Sequence, residues 1–375
     1  MKIALFSGNY NYVREGANQA LNRLVDYLER HGDEVRVYSP VSATPAFEPA
    51  GTLIAVPSIA LPVRSEFRLA LGLLDDVRRD LERFAPDIVH VSTPDVLGRR
   101  AQGWAIAHGV PVVASLHTRF ETYLTYYRLG WLRGIVEGYL GRFYARSDHV
   151  LVPTRAMVGE YGEGRGYGEV TLWSRGVERG IFDPARRENA VRQRWGVAKD
   201  ELVLLFFGRL VLEKGVLAYC DVVRALQQRG VRVRPLVIGA GPASAPFEAL
   251  GGTIMAGHLD GDALGEAVAN ADIMINPSVT EAFGNVVLEA MAAGIVVVSA
   301  DTPSAAGLIT NGVTGMLVSP GERDGYVAAI ERLIADPDKR AAIGAAARAA
   351  SGDFSWDAAS ASVAEAYRAV IARRA

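Results

Sequence analysis

Cysteine is almost absent: Cys220 is the only one in 375 residues. That excludes a disulfide scaffold and a redox pair of thiols, and it suits a reducing cytoplasm. Histidine is scarce as well, at six, and with one thiol the chain cannot supply zinc-finger ligand sets. No excess of either charge exists, since 40 Lys+Arg face 42 Asp+Glu for a net −2. The basic field that non-specific nucleic-acid binding needs is therefore missing, and no nucleic-acid partner is expected. No apolar run approaches the ~18 residues of a membrane span. The run 1–7 is also too short for a signal peptide, so the expected address is cytoplasmic, with any membrane contact peripheral. Two nucleotide fingerprints are lacking too. No Gly-x-x-x-x-Gly-Lys-Ser/Thr occurs, which excludes a P-loop. Val237-Ile238-Gly239-Ala240-Gly241-Pro242 starts like a dinucleotide loop without completing Gly-x-Gly-x-x-Gly, and the N-terminal strand leads to Gly8-Asn9-Tyr10 and then Glu15-Gly16-Ala17, also without it, which disfavours a nicotinamide enzyme.

What is present is an ordinary globular composition, 50% hydrophobic and 22% charged. At about 100–200 residues per domain, the length predicts two domains. Short β-branched runs at 2–7, 34–38, 87–91, 111–115 and 149–153 alternate with amphipathic segments such as 18–31, whose Leu21, Leu24, Val25 and Leu28 recur at helical spacing before Gly32. The pattern restarts at 202–207 and continues at 233–238, 253–256, 272–276, 295–299 and 316–319. Alternation of this kind predicts βαβ units with parallel sheets, hence α/β architecture with two Rossmann-like domains. The polar, Arg-rich stretch 180–199 reads as the linker, and the Ala-rich tail 341–350 and 358–372 as surface helix.

The densest chemical signal is Pro277-Ser278-Val279-Thr280-Glu281-Ala282-Phe283-Gly284-Asn285-Val286-Val287-Leu288-Glu289. A strand, a glycine turn and a helix in that order place free backbone N–H groups at the carboxyl edge of a parallel sheet, an anion site suited to phosphate. Glu281 can accept hydrogen bonds from sugar hydroxyls and Glu289 can reach a vicinal diol. The alternative is that Glu281 caps the helix and Glu289 lies on a solvated face. A second signal, Gly208-Arg209-Leu210-Val211-Leu212-Glu213-Lys214, puts two cations after a buried strand, where they can converge on a diphosphate. A local salt bridge involving Glu213 is the plainer alternative. Asp260-Gly261-Asp262 imitates a metal-binding Asp-x-Asp, but its place before the helical 263–271 predicts an N-cap instead.

Together these residues resemble the retaining GT-B glycosyltransferases of the large E-x7-E group, family four, which includes bacterial mannosyl-, glucosyl- and sulfoquinovosyl-transferases of glycolipid synthesis. The resemblance covers nearly the whole chain. Glu15-Gly16-Ala17 is similar to that family's N-terminal glycine loop, Leu116-His117-Thr118-Arg119-Phe120 to its His-Thr segment, and Trp173-Ser174-Arg175-Gly176-Val177-Glu178 to its interdomain segment. The resemblance implies two domains facing across a cleft: 1–178 with a terminal helix 355–375 on the acceptor side, and 179–354 binding the nucleotide sugar. It implies that Arg209, Lys214 and the N–H groups of Gly284, Asn285 and Val286 hold the diphosphate, that Glu281 contacts the donor sugar, and that Glu289 binds ribose hydroxyls. Gly239 is placed in the donor pocket and Gly16 over the phosphates, while His117 acts beside the reacting centre by positioning and electrostatics. No cofactor and no metal are expected, because the two cations supply the charge that stabilises the leaving group. Ala240, where many relatives have Asp, and 302–307, which replaces a Gly-Gly-x-x-Glu-like turn, leave the donor base and sugar open.

The acceptor side is marked by 123–146, where Tyr123, Tyr126, Tyr127, Trp131, Tyr139, Phe143 and Tyr144 interleave with Arg128, Arg133, Arg142 and Arg146 against Glu137 alone. With Arg119, this pattern suits an anionic bilayer surface and predicts a lipid or lipid-linked acceptor at the inner face of the cell membrane. A helix that packs its aromatics inward is the competing reading. The expected activity is hexosyl transfer from a nucleoside-diphosphate sugar. A polysaccharide or soluble acceptor, a nucleotide-sugar epimerase and a binding module are the rivals.

Overall fold

Buried runs of Val, Ile and Leu make strands because a parallel sheet covered on both faces has no solvent side on which to place polar residues. The computed structural model describes residues 1–13, 15–60, 68–119, 129–162 and 166–374. The chain divides into an N-terminal unit, which runs to Gly176 and resumes at Ser355, and a C-terminal unit, Val177–Phe354.

In the N-terminal unit the strands are, in chain order, β1 (Lys2–Phe6), β2 (Glu34–Ser39), β3 (Thr52–Ala55), β4 (Ser58–Ala60), β5 (Arg68–Ala70), β6 (Ile88–Val91), β7 (Val112–Ser115), β8 (His149–Val152) and β9 (Glu169–Leu172). Seven form one parallel sheet in the order β3-β2-β1-β6-β7-β8-β9, and β4 pairs with β5 antiparallel. The helix Gly16–Arg30 packs Leu21, Leu24, Val25 and Leu28 into one core with Ile3 and Leu5 and with Val363, Tyr367 and Val370 of the terminal helix Trp356–Arg374. Each large apolar side chain buried this way stabilises by about 1.5–3 kcal/mol. The second part of the Ala-rich tail, 358–372, is accordingly not a surface helix: Ala359, Ala364 and Ala366 are buried contact residues. Arg30 fastens the end of that contact to Asp357 at 2.9 Å.

The C-terminal unit carries β10 (Leu202–Phe207), β11 (Val233–Ile238), β12 (Ile254–Gly257), β13 (Ile273–Asn276), β14 (Val296–Ala300) and β15 (Met316–Val318), all parallel in the order β12-β11-β10-β13-β14-β15. This is the Rossmann strand order, which reverses direction between β10 and β13 and leaves a crevice beyond the carboxyl ends of those strands. The expected linker 180–199 is a built part of this unit. Arg187 and Arg192 grip the carboxylate of Asp272 at 2.5 and 2.9 Å, and the same carboxylate accepts the N–H of Val203 at 2.7 Å. A buried Asp satisfied by two guanidiniums and an amide ties the segment to the entry of β10 and β13.

Candidate active site

The chain leaves β10 at Phe207 and β13 at Asn276, the two strands that flank the reversal of strand order. Arg209 and Lys214 follow the first and Glu281 the second. Two hydroxyls shape the meeting point: Ser278 Oγ and Thr280 Oγ1 both donate to the carbonyl of Glu213, at 3.4 and 3.2 Å. That fixes the turn after β13 against the 3-10 turn Leu212–Lys214 and brings Lys214 Nζ to Glu281 Oε1 at 2.6 Å. The ammonium and carboxylate are 24% and 14% exposed, so the pair is largely withdrawn from water yet open to a ligand. Glu213 itself is buried. The sequence's local salt bridge is thus replaced by a long-range one, and Glu281 is not a helix cap.

The cap is Gly284, in the left-handed region at φ 102° with no side-chain bond, opening the helix Asn285–Ala292. The N–H groups of Asn285 and Val286 have no acceptor within this first turn, as expected of a helix start. Buried Phe283 anchors the turn edge-on against Phe354, with ring centroids 6.1 Å apart. Glu289 lies on this same helix, only partly exposed, and its carboxylate has no hydrogen bond or ion pair among the described residues. Burial pushes its carboxyl up from 4.5 to about 7. It therefore does not sit on a solvated face. Gly239, at the end of β11, packs so tightly on the loop after β10 that a Cβ there would lie 1.9 Å from the Gly208 carbonyl oxygen. Asp260 takes the N-cap position of the helix Gly261–Ala269 without a side-chain cap bond, and Asp262 pairs with Arg186 at 2.7 Å. Among the described residues no group of three or more His, Cys, Asp or Glu could hold a metal ion.

His117, Gly16, Arg119, Trp131 and Arg133 belong to the N-terminal unit. His117 follows β7 and has both ring nitrogens engaged: Nε2 with Ser115 Oγ at 2.8 Å and Nδ1 with Arg175 Nη2 at 3.0 Å. Ser115 continues to His90 Nε2 at 2.7 Å, and His90 Nδ1 to the Tyr367 hydroxyl at 2.5 Å. Trp173 stands edge-on to both imidazoles. Burial first, then Arg175, then His90, depress His117 well below the ordinary histidine value. Burial alone takes His90 to about 3 and lowers Arg175 to about 10. Gly16 is the first residue of a helix rather than part of a loop. Arg119 pairs with Glu160 at 3.1 Å and Arg133 with Glu137 at 2.7 Å. Trp131 is 75% exposed, whereas Phe143 and Tyr144 are buried and Tyr139 donates to the Pro94 carbonyl. The aromatic stretch therefore splits between two faces. Tyr123 and Arg128, with Phe120, Tyr126 and Tyr127, lie outside the described residues.

Residues 14–180 match the family described as Glycosyltransferase Family 4, and 187–350 match Glycosyl transferases group 1. The sulfoquinovosyl transferase SQD2 of Arabidopsis thaliana is 30% identical over 96% of this chain and 71% of its own. The chain belongs to the family 4, group 1 glycosyltransferases. Other relatives of this glycosyltransferase include a GDP-mannose-dependent alpha-mannosyltransferase of Corynebacterium glutamicum, 25% identical over 99% of this chain and 90% of its own. The alpha-monoglucosyldiacylglycerol synthase of Acholeplasma laidlawii is 25% identical over 80% of each. Among solved structures, the sucrose-phosphate synthase of Thermosynechococcus elongatus superimposes with a TM-score of 0.79 at 19% identity, covering 99% of both chains. Anabaena HepE in complex with UDP gives 0.74 at 21%, covering 98% of this chain and 100% of that one. These likenesses identify the GT-B fold.

Sequence reasoning missed Arg175, Ser115, His90 and Tyr367 as members of the His117 site. One signal was available: His90 interrupts the apolar run Ile88-Val89-His90-Val91, where an ionisable group needs a buried partner. Arg175 was read only as part of the interdomain segment Trp173–Glu178, and nothing in that segment links it to His117, 58 positions earlier.

Proposed function

We propose that this glycosyltransferase moves a hexose-type sugar from a nucleoside-diphosphate sugar to a lipid or lipid-linked acceptor, with retention and without a metal. The observation that carries the proposal is the Lys214–Glu281 pair beside the free start of the helix Asn285–Ala292, at the strand reversal of the C-terminal sheet. A diphosphate entering there competes for Lys214, and Arg209 with the N–H groups of Asn285 and Val286 adds to the positive field. The charge that builds on the leaving group as the sugar–phosphate bond breaks meets preorganised donors. Releasing Lys214 frees the Glu281 carboxylate to accept hydrogen bonds from sugar hydroxyls. Glu289, unpartnered and partly buried, suits a ribose diol. No carboxylate is assigned as a covalent nucleophile, consistent with same-face attack assisted by the departing phosphate. A donor of this class fits the UDP bound by the Anabaena neighbour. A lipid acceptor fits the product named for the Acholeplasma relative. Exposed Trp131 and Ile135, on the same 129–146 segment as exposed Arg142 and Arg146, favour peripheral contact with an anionic membrane, and among the described residues no helix is long and apolar enough to cross one.

The test is transfer from UDP-, GDP- and ADP-hexoses to diacylglycerol in anionic vesicles, with a chelator present and the anomeric configuration of the product read by NMR. An α-linked glycolipid from an α-donor is expected, and Lys214→Ala and Glu281→Ala each lose most turnover while remaining folded. Glycosylation of soluble saccharides alone would replace the lipid acceptor. Isomerised donor without acceptor would replace transfer by epimerisation, and dependence on added metal or an inverted product would overturn those parts of the proposal.

A further inference from the structure

Arg175 is a cation in the wrong place for a solvent-facing arginine. It is 4% exposed, and among the described residues no carboxylate lies within ion-pair distance of it. Its guanidinium instead donates to the carbonyls of Trp173 and Ser174, at 2.8 and 3.1 Å, lies 5.0 Å from the Trp173 ring centre, and reaches His117 Nδ1 at 3.0 Å. Burying a charge without a counter-ion is costly, so the hydrogen bonds that hold it are demanding ones.

Direction follows from what each group can do. A guanidinium has donors only, so Nδ1 of His117 must accept. A neutral imidazole that accepts at Nδ1 carries its proton on Nε2, and that N–H points to Ser115 Oγ at 2.8 Å. The Ser115 hydroxyl then has His90 Nε2, 2.7 Å away, as its acceptor, and His90 donates from Nδ1 to the Tyr367 oxygen at 2.5 Å. One fixed cation thereby orients a proton chain from the segment after β9 through β7 and β6 to the terminal helix. Protonating His117 would put an N–H against the Arg175 donors and break the chain at its first link.

We infer that Arg175 is a positioning residue: it holds His117 neutral and protonated at Nε2, so that His117 serves the reaction without exchanging a proton. The consequence for turnover rests on the glycosyltransferase reading, whereas the charge and tautomer do not. Among the described residues the other titratable groups facing the chain are His90, Tyr367 and, beyond Tyr367, Asp33, which is tied to the N-terminal ammonium at 2.8 Å. Arg119, two residues after His117, turns to Glu160.

The experiment is long-range ¹H–¹⁵N correlation of the imidazoles in the full chain labelled with ¹⁵N-histidine, from about pH 5 to pH 8, without substrate. His117 is assigned by loss of its signals in His117→Gln. The wild type is expected to show His117 neutral as the Nε2–H tautomer throughout. Arg175→Met is expected to lose the single tautomer and to begin protonating His117 at the acid end, with an acid limb appearing in kcat while the donor KM is unchanged. Arg175→Lys, which restores a cationic donor, is expected to return the single tautomer. A wild-type His117 protonated at Nδ1, or titrating near the ordinary value, overturns the inference even if Arg175→Met fails to fold. So does a folded Arg175→Met with an unchanged spectrum. Because the spectra need no donor, a failed transferase assay leaves this result separate.

Discussion

Glu289 holds its proton more tightly in the folded protein than in the unfolded chain, because burial raises its carboxyl from 4.5 to about 7. The linkage sign follows: its contribution to stability is full below about 4.5 and is lost as pH rises through about 7. At pH above this window the fold carries a desolvated, unpartnered carboxylate. Glu289→Gln removes that burden while keeping the shape. The variant is expected to be more stable than wild type at alkaline pH, by about 1–3 kcal/mol once partial solvent access is allowed for, and equal to it near pH 4.5. If Glu289 binds the ribose as proposed, the variant is also expected to lose the thermal shift expected of the wild type with a nucleoside diphosphate. Urea unfolding across this pH range checks the first part, and an advantage that does not depend on pH would refute it. Glu281 and Lys214 were legible as candidates in the sequence, but their pairing was not, because they are 67 positions apart and only the Ser278 and Thr280 bonds to Glu213 bring the two turns together. Arg175 was legible as part of the segment Trp173–Glu178 but its contact with His117 was not, because the two are 58 positions apart.

At the scale of elements, the two glycines at the proposed donor site differ in what they demand. Gly239 has φ +141°, and its Cβ position falls 1.9 Å from a backbone oxygen that cannot give way without moving the loop carrying Arg209. Gly284 has φ +102°, but the nearest atom to its Cβ position is the Leu308 Cδ1 at 3.5 Å, an ordinary contact. Gly239→Ala therefore combines strain with overpacking and is expected to cost roughly 3–5 kcal/mol. Gly284→Ala carries only the left-handed strain, about 1–2 kcal/mol. Thermal unfolding should show the first with much the lower Tm, and equal losses would mean that the loop after β10 is free to move. All six strands of the C-terminal sheet and the five inner strands of the N-terminal one could be read to within a residue or two from their β-branched runs, yet the edge strands β3 and β9 and the Arg-rich segment after Gly180 could not. Its arginines resemble a solvated linker until Asp272, some 80 positions further on, accepts them. The terminal helix misled in the same way: alanine composition announces a helix but does not say which face is buried.

The whole molecule has its acid sensitivity concentrated in one unit. His90, His117 and His149 are all depressed below 6.5, each with burial as the leading cause, and all three lie in the N-terminal unit. A histidine whose folded pKa is depressed binds its proton more readily when unfolded. Its contribution is therefore present above about 6.5 and is lost as pH falls below that value, toward about 3 for His90. Each such group adds a slope of up to about 1.4 kcal/mol per pH unit, and all three slopes have the same sign. Glu289, in the C-terminal unit, has the reverse sign between 4.5 and about 7. Lowering the pH thus weakens the N-terminal unit while removing one strain from the other, and a chain of two units need not unfold in one step. Hydrogen exchange followed from about pH 7 to about pH 5 is expected to show protection falling first in β6, β7, β8 and the terminal helix that shares their core, while β10 to β14 stay protected. Phe replacing Tyr367 removes the last acceptor of the chain from His117 and should move that loss of protection to higher pH. Equal loss in both units, or earlier loss in the C-terminal sheet, would show that buried histidines do not set the acid limit of this fold.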